Sequence, residues 1–192
     1  MKTEAEKSIK SIEKSLRKIK VQSTAPVDSW NPKFCGNLNI RIAKDGSWFY
    51  EGSKINRTNL VKLFSSILKK EDNNCFLVTP VEKIGIKVDF APFVATSIRS
   101  TGFGKLQKIC FTTNIGDRVE LNHKNLLRVD FNPQTEEPHP YVLVRRNLEA
   151  LIDRKSFYRF IDLGVVEKYK GQDWFGVWSN NCFFPLILNK YL

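Results

Sequence analysis

Two short stretches place an arginine beside a helix-capping residue. They are INRTNLVKLF, residues 55–64, and IDRKSFYRFI, residues 152–161. In each stretch an Asn or Asp is suited to cap a helix, because its side-chain oxygen accepts a hydrogen bond from an otherwise unpaired backbone N–H. The arginine that follows, Arg57 or Arg154, then falls in the first turn of the helix.

A cation in the first turn of a helix is electrostatically unfavourable by about 0.3–1 kcal/mol, because the free N–H groups and the helix dipole favour anions. Arg57 and Arg154 therefore each indicate a negative partner. That partner is either a carboxylate of the chain or a bound phosphate or carboxylate ligand. The candidate carboxylates are Glu51, Glu82 and Glu149.

Four further residues complete the predicted ligand-binding set. Glu82 and Lys83 follow Thr79-Pro80 in a turn after a predicted strand, and turns held by a scaffold often carry binding sites. Arg145 is the last residue but one of the predicted strand YVLVRR, and Trp178 is one of four tryptophans able to line an apolar pocket. The alternatives are an exposed ion pair for the charged residues and core packing for Trp178.

Several patterns typical of enzymes are absent from the sequence. There is no Gly-x-Ser-x-Gly elbow, and Gly102-Phe103-Gly104-Lys105 lacks the spacing of a phosphate-binding loop, so we predict a hairpin turn there. The two histidines are too few for a histidine-rich metal site. We therefore predict no catalytic residues, no metal and no cofactor, which favours a binding protein over an enzyme.

The composition constrains location and partners. The net charge of +11 indicates nucleic acid or an anionic membrane surface as partners, unless it is only a solvated lysine-rich face. The longest apolar run is CFFPLIL, far below the roughly 20 residues of a membrane-spanning helix. The charged N-terminus does not resemble a signal peptide, and the four cysteines form no Cys-x-x-Cys pair. We therefore predict a cytoplasmic protein with reduced thiols and no transmembrane segment.

The predicted organisation has three parts. Residues 1–25 form a basic N-terminal helix and linker, with apolar residues spaced three and four apart that offer a seam for a homodimer. Residues 26–135 form a first repeat unit with central β-strands. Residues 136–192 form a second repeat unit, packed with the first as one compact body.

Each predicted unit contains a capped helix between strands. Leu38–Ile42 and Trp48–Tyr50 alternate apolar with polar residues around Asp45-Gly46, which predicts a hairpin. Each helix is followed by a charged connector and an aromatic strand. The predicted fold class is α+β: two repeated strand-helix-strand units with additional antiparallel strands between them, plus an N-terminal helix.

Four segments resemble one protein family. WNPKFCGNLNIRIAKDGSWFYEGSKINR, LVTPVEKIGIKV, PYVLVRRNLEALIDRKSFYRF and WFGVWSNNCFFPL are together similar to the bacterial domain-of-unknown-function family 1285. The family's GSPI element is Gly52-Ser53-Lys54-Ile55 here, with lysine in place of proline. The resemblance implies an unusual α+β fold with repeated motifs, no established activity and a suggested ligand-linked signalling role.

We therefore predict a non-enzymatic ligand-binding or regulatory module, with a small anionic molecule as its ligand. The alternative is a nucleic-acid-binding protein that uses its basic surface and N-terminal tail. A third hypothesis is a hydrolase that uses a cleft of carboxylates.

Overall fold

The computed structural model of the chain describes residues 25–191. Within this range it contains fifteen β-strands, two α-helices and three short 3-10 helices, arranged in three sheets. The chain divides into two compact units between Phe90 and Ala91. The predicted N-terminal helix lies outside the described residues. Among the described residues, no helix is both long and apolar enough to cross a membrane.

Unit 1 contains a six-stranded sheet and one α-helix, in the order β3-β2-β1-β6-β5-β4. The pairing of β1 with β6 is parallel and every other pairing is antiparallel. The elements are β1 Phe34–Ile42, β2 Trp48–Tyr50, β3 Ser53–Lys54, α1 Thr58–Ser66, β4 Leu68–Glu71, β5 Asn74–Val78 and β6 Lys83–Val88, preceded by a 3-10 turn at Val27–Ser29.

The sheet of unit 1 buries one face and leaves the other partly exposed. Alternation along β1 places Ile40 and Ile42 in the core, where Trp48 is also buried. Helix α1 supplies Phe64, whose ring centroid lies 6.0 Å from that of Trp48. The opposite face is called the outer face below. Strand register assigns to it Asn37, Arg41, Lys69, Glu71, Asn74, Phe76, Lys83, Gly85 and Lys87.

Unit 2 contains a six-stranded sheet, a three-stranded antiparallel sheet and one α-helix. The larger sheet has the order β10-β11-β12-β7-β8-β9 with β12 and β7 parallel, and the smaller has the order β13-β14-β15. The elements are β7 Phe93–Thr101, β8 Lys108–Thr113, β9 Arg118–Glu120, β10 Leu127–Phe131, β11 Pro138–Arg145, β12 Leu148–Ile152, α2 Arg154–Ile161, β13 Val165–Tyr169, β14 Gln172–Ser179 and β15 Cys182–Leu188, with 3-10 turns at Gly104–Leu106 and Asn189–Tyr191.

Helix α2 packs against both sheets of unit 2, on β7 and on β14. Asp153 caps the helix as predicted, accepting a hydrogen bond from the Ser156 N–H at 2.7 Å. Phe160 is fully buried and its ring lies 5.6 Å from that of Phe111. The helix therefore anchors its apolar face in the core, and Arg154 stays at the surface.

The predicted fold class is wrong, because the described chain is mostly β and does not consist of two repeated strand-helix-strand units. The helices have only 9 and 8 residues. Both segments interpreted as charged connectors are strands, β4 with the sequence LKKE and β13 with the sequence VVEKY. Lysine and glutamate are compatible with a strand that has one solvated face.

The two strand groups that follow the helices also differ in their pairing. After α1, strands β4 to β6 extend the sheet that already contains β1. After α2, strands β13 to β15 form a sheet of their own. The predicted internal boundary at residues 135 and 136 falls inside unit 2, in the loop between β10 and β11.

Candidate functional site

A polar pocket of about 390 Å³ lies over strands β1, β5 and β6 of unit 1. This volume is within the range of about 300–1,000 Å³ that is usual for small-molecule sites. Alternation directs the side chains of Asn37, Asn74 and Lys87 to the outer face, and Asn73 adds a third amide from the β4–β5 turn. The lining therefore combines these four hydrogen-bonding side chains with apolar residues such as Leu38, Ile86 and Val88.

Gly85 forms the floor of the pocket. It lies in β6 between Ile84 and Ile86, and its register partner on β1 is Asn37. A Cβ atom at this position would overlap Oδ1 of Asn37 and come within 3.6 Å of the Phe34 ring. A glycine inside a strand often marks a close approach, and here the missing side chain lets the Asn37 amide lie directly over the sheet.

The electrostatics of the pocket favour an anion. Among its nine described lining residues, Lys87 is the one charged side chain and none is acidic. Lys87 and Asn74 are exposed, so a ligand reaches both from solvent. Amide N–H groups and an ammonium group donate hydrogen bonds to carboxylate or phosphate oxygens. The arrangement can therefore hold an oxyanion against a flat backbone floor.

An ion-pair network lies beside the pocket on the same face. The Lys83 ammonium lies 2.9 Å from Glu71 Oε2 and 5.1 Å from the Phe76 ring centroid, and Lys69 lies 3.2 Å from Glu71 Oε1. Hydrogen bonds from Lys83 and Lys69 hold the pKa of the Glu71 carboxyl below its ordinary value. Glu71 therefore stays charged and pairs with both lysines, whereas Lys87 is outside this network and interacts electrostatically with the Asp89 carboxylate.

Within residues 25–191, no group of three His, Cys, Asp or Glu side chains is arranged to hold a metal ion. Cys75 lines the pocket from the buried side of the sheet, where burial raises the pKa of its thiol. A buried thiol with a raised pKa is a poor nucleophile.

The two arginines at the helix starts are both exposed. Arg57 is the N-terminal cap residue of α1 in unit 1. Arg154 in unit 2 donates to the Tyr158 hydroxyl at 3.1 and 3.2 Å, which raises the pKa of its guanidinium. Two of the suggested carboxylate partners bond elsewhere, Glu51 to Asn39 and Glu149 to Arg128.

Glu82 and Lys83 are adjacent in unit 1 but have separate roles. The Glu82 N–H donates to Thr79 Oγ1 at 3.1 Å, and the Thr79 N–H donates to the Glu82 carbonyl at 2.9 Å, which closes the turn before β6. Lys83 pairs with Glu71 on β4. Among the six residues predicted to bind a ligand, Lys83 is the closest in sequence to a pocket residue. It precedes Gly85, the floor of the pocket, by two residues.

Arg145 and Trp178 contact different parts of unit 2. Arg145 pairs with Asp117 and lies 4.6 Å from the centroid of the Phe93 ring. Its burial lowers the pKa of the guanidinium, while Asp117 opposes that change. Trp178 donates from its indole nitrogen to Glu167 Oε1 at 3.1 Å. The predicted residues of unit 2 are therefore distributed over separate clusters.

Comparison with family models matches both units. The model described as the N-terminal domain of DUF1285, a domain of unknown function, matches residues 25–91. The model described as the C-terminal domain of DUF1285 matches residues 92–186. The chain belongs to the DUF1285 family. This confirms the resemblance seen in the sequence, and the junction of the two models coincides within two residues with the division after Phe90.

Two crystal structures of DUF1285 family proteins are similar to this chain. The protein from Silicibacter pomeroyi DSS-3 is 52% identical, with a TM-score of 0.85, over 94% of this chain and 96% of that one. The protein from Shewanella baltica OS155 is 26% identical, with a TM-score of 0.52, over 65% of this chain and 91% of that one. A comparison with curated proteins found no match.

The pocket of this DUF1285 protein was missed by the prediction from sequence. Asn37, Asn73, Asn74 and Lys87 come from three separate segments, and polar residues on strands and turns ordinarily face solvent. One local signal was present, since Gly85 interrupts a strand otherwise rich in isoleucine and valine. Such a glycine suggests a close backbone approach, but the sequence does not indicate what approaches it.

Proposed function

We propose that this protein is a non-enzymatic cytoplasmic module that binds a small anionic ligand in the pocket on the outer face of unit 1. The observation that carries the proposal is the lining: amide side chains and Lys87 surround a glycine floor, with no carboxylate among the described lining residues. A protein that binds this ligand without converting it would act as a regulator, because the bound ligand would stabilise unit 1.

The size and shape of the pocket indicate the ligand class. A volume of about 390 Å³ accommodates a nucleoside monophosphate or a metabolite carboxylic acid. The flat floor at Gly85 suits a planar group stacked over the backbone, and the Phe34 ring borders it. Lys87 and Asn74 would then contact the charged end of the ligand.

The test is thermal denaturation against inorganic phosphate, nucleoside monophosphates and dicarboxylic acids. A ligand present at 100 times its dissociation constant stabilises the folded state by about 2.7 kcal/mol. We expect at least one probe to raise the melting temperature, and the Lys87→Gln and Gly85→Ala variants to reduce that rise. Lys62→Gln, which changes an exposed lysine on α1, is the matched control and should respond like the wild type.

Arg57→Ala and Arg154→Ala belong in the same experiment, because the sequence predicts anion binding at the helix starts. A melting-temperature rise that survives Lys87→Gln but disappears with either arginine variant would move the site away from the pocket. The absence of any rise with all probes would refute small-anion binding altogether.

Nucleic-acid binding is a second candidate, favoured by cations stacked on aromatic rings across the outer face. Arg41 lies 6.0 Å from the Phe49 ring centroid, and Lys83 lies 5.1 Å from that of Phe76. Stacking surfaces with cations are typical of single-strand binders. The affinity for a labelled oligonucleotide should then fall steeply with salt, and Lys83→Gln should flatten that slope. Binding that is insensitive to this change would count against the outer face.

A further inference from the structure

The connection between β7 and β8 in unit 2 exposes two large apolar side chains. Phe103 is 92% exposed and Leu106 is 72% exposed, the highest values among the large apolar residues that the structure describes. They lie three residues apart in the Gly102–Gln107 turn, which contains a 3-10 turn. This segment, called the β7–β8 tip, thus leaves its most apolar groups in water.

The β7–β8 tip is held in place by the turn between β14 and β15. The Asn180 N–H donates to the Gln107 carbonyl at 2.8 Å, and the Asn181 N–H donates to the Lys105 carbonyl at 2.9 Å. The Gln107 amide donates to the Trp178 carbonyl at 3.0 Å, and the Lys105 ammonium lies 4.9 Å from the Trp178 ring centroid. The backbone is therefore fixed from one side, and Phe103 and Leu106 project without folding back onto the chain.

Cations outnumber carboxylates around the tip. Arg99, Lys105 and Lys108 lie on it or beside it, and no acidic residue occurs between Ala91 and Gly116. In the strand pairing Thr101 is opposite Lys108, so the side chains of Arg99 and Lys108 share one face of the hairpin. Cys110 is paired with both Arg99 and Glu120, so this face also carries one exposed carboxylate. The apolar pair is therefore accompanied by three cations, with Glu120 as the carboxylate on their face of the sheet.

We propose that the β7–β8 tip docks on the surface of a bilayer that contains anionic phospholipid. Phe103 and Leu106 enter the boundary between headgroups and acyl chains, while the three cations contact headgroup phosphates. A fluid apolar layer accepts two protruding side chains without a complementary groove. A stable protein partner would need about 800 Å² of surface on this side, which a pair of side chains on a convex turn does not provide. This docking does not depend on the pocket of unit 1.

Sedimentation of the full chain with lipid vesicles tests the proposal. The probes are vesicles of phosphatidylcholine mixed with phosphatidylglycerol, and vesicles of phosphatidylcholine alone. We expect binding to the mixed vesicles, with weak binding to the neutral ones. The double variant Phe103→Ser/Leu106→Ser should lose at least about tenfold in affinity for the mixed vesicles, because two apolar insertions are removed.

The matched control is Leu126→Ser/Phe131→Ser, which alters two half-exposed apolar residues elsewhere in unit 2 and should bind like the wild type. If the serine variant at the tip fails to fold, Arg99→Gln/Lys108→Gln replaces it and should weaken binding to mixed vesicles by a similar factor. Each variant retains the basic N-terminal segment. If that segment alone attracted the protein to the vesicles by its charge, the variants and the wild type would bind with equal affinity.

Three results would overturn the proposal. One is the absence of wild-type binding to mixed vesicles. Another is equal binding by the wild type and the serine variant at the tip, which assigns adsorption to other basic residues. The third is a wild-type dimer in sedimentation equilibrium that becomes monomeric with Phe103→Ser/Leu106→Ser, since the tip would then be a contact between two copies of the chain.

Discussion

A buried serine hydroxyl links the two sheets of unit 2, and its removal should be costly. Ser179 ends β14 in the three-stranded sheet and is fully buried. Its Oγ donates to the Leu121 carbonyl at 2.7 Å and accepts from the Ile109 N–H at 3.0 Å. Ile109 lies in β8 and Leu121 follows β9, so both partners belong to the six-stranded sheet or its immediate continuation.

The cost of Ser179→Ala follows from which partner is left unpaired. The Leu121 carbonyl keeps a hydrogen bond from Asn180 Nδ2 at 3.0 Å. The Ile109 carbonyl accepts from the Leu121 N–H at 2.8 Å, so the Ile109 N–H points to the same edge of β8, away from β7. Without the serine oxygen this buried donor has no acceptor, which costs about 1–3 kcal/mol.

Urea denaturation of the full chain measures the effect. Taking about 2 kcal/mol as the loss and about 2 kcal/mol/M as the denaturant slope, the midpoint should fall by about 1 M. Tryptophan fluorescence follows unfolding, with Trp174 and Trp178 in unit 2 and Trp30 and Trp48 in unit 1. The control is Ser100→Ala, an exposed serine on β7 of the same unit, which should stay within about 0.5 kcal/mol of the wild type.

Two outcomes would contradict the reasoning. If Ser179→Ala unfolds within about 0.5 kcal/mol of the wild type, the hydroxyl does not hold the sheets together. If Ser100→Ala loses as much stability as Ser179→Ala, the loss does not come from the unpaired Ile109 N–H.

Three other predictions concern unit 1. Phe64→Ala should lower the free energy of unfolding by about 3–5 kcal/mol, because removing this fully buried ring leaves a cavity. A loss below about 1 kcal/mol in urea denaturation would contradict the packing. At pH 8 a maleimide should modify the exposed Cys35 well before the buried Cys75, because burial raises the pKa of the Cys75 thiol. Equal labelling of the two cysteines, measured by peptide mass spectrometry, would disprove this burial. The hydrogen bond from Arg41 holds the pKa of the Asp89 carboxyl below its ordinary value, so this pair contributes stability above the unfolded-state pKa and loses it as pH falls through the folded-state pKa. NMR titration should find that pKa moved up towards its ordinary value in Arg41→Gln, and an unchanged pKa would refute the pairing.

Elements whose signals are local were predicted well. The hairpin around Asp45-Gly46 is confirmed, with Ile42 paired to Trp48 across the turn. Both helices lie within the two repeated stretches, because N-capping and apolar spacing act over a few residues. The predicted cap at Asn56 is wrong, because the first helix begins after Arg57, whose side chain makes no capping hydrogen bond.

Strands rich in charged residues were not predicted. The segment LKKE forms β4. Its Leu68 is fully buried and pairs with Leu77, while Lys69 and Glu71 face outward. A strand of this kind is stabilised by its neighbouring strands, and the sequence of the strand alone does not indicate which strands those are. The error in fold class came from these missed strands rather than from the helices.

The sequence by itself determined the family, the positions of the two helices, the Asp153 cap of α2 and the hairpin, since each depends on residues that are adjacent or share a short spacing. Only the tertiary structure decided which strands pair, and therefore that Asn37 lies over Gly85 and that Ser179 reaches Ile109. These contacts join residues that are 48 and 70 positions apart. Such pairings depend on the free energy of packing summed over a whole sheet, which no short segment contains.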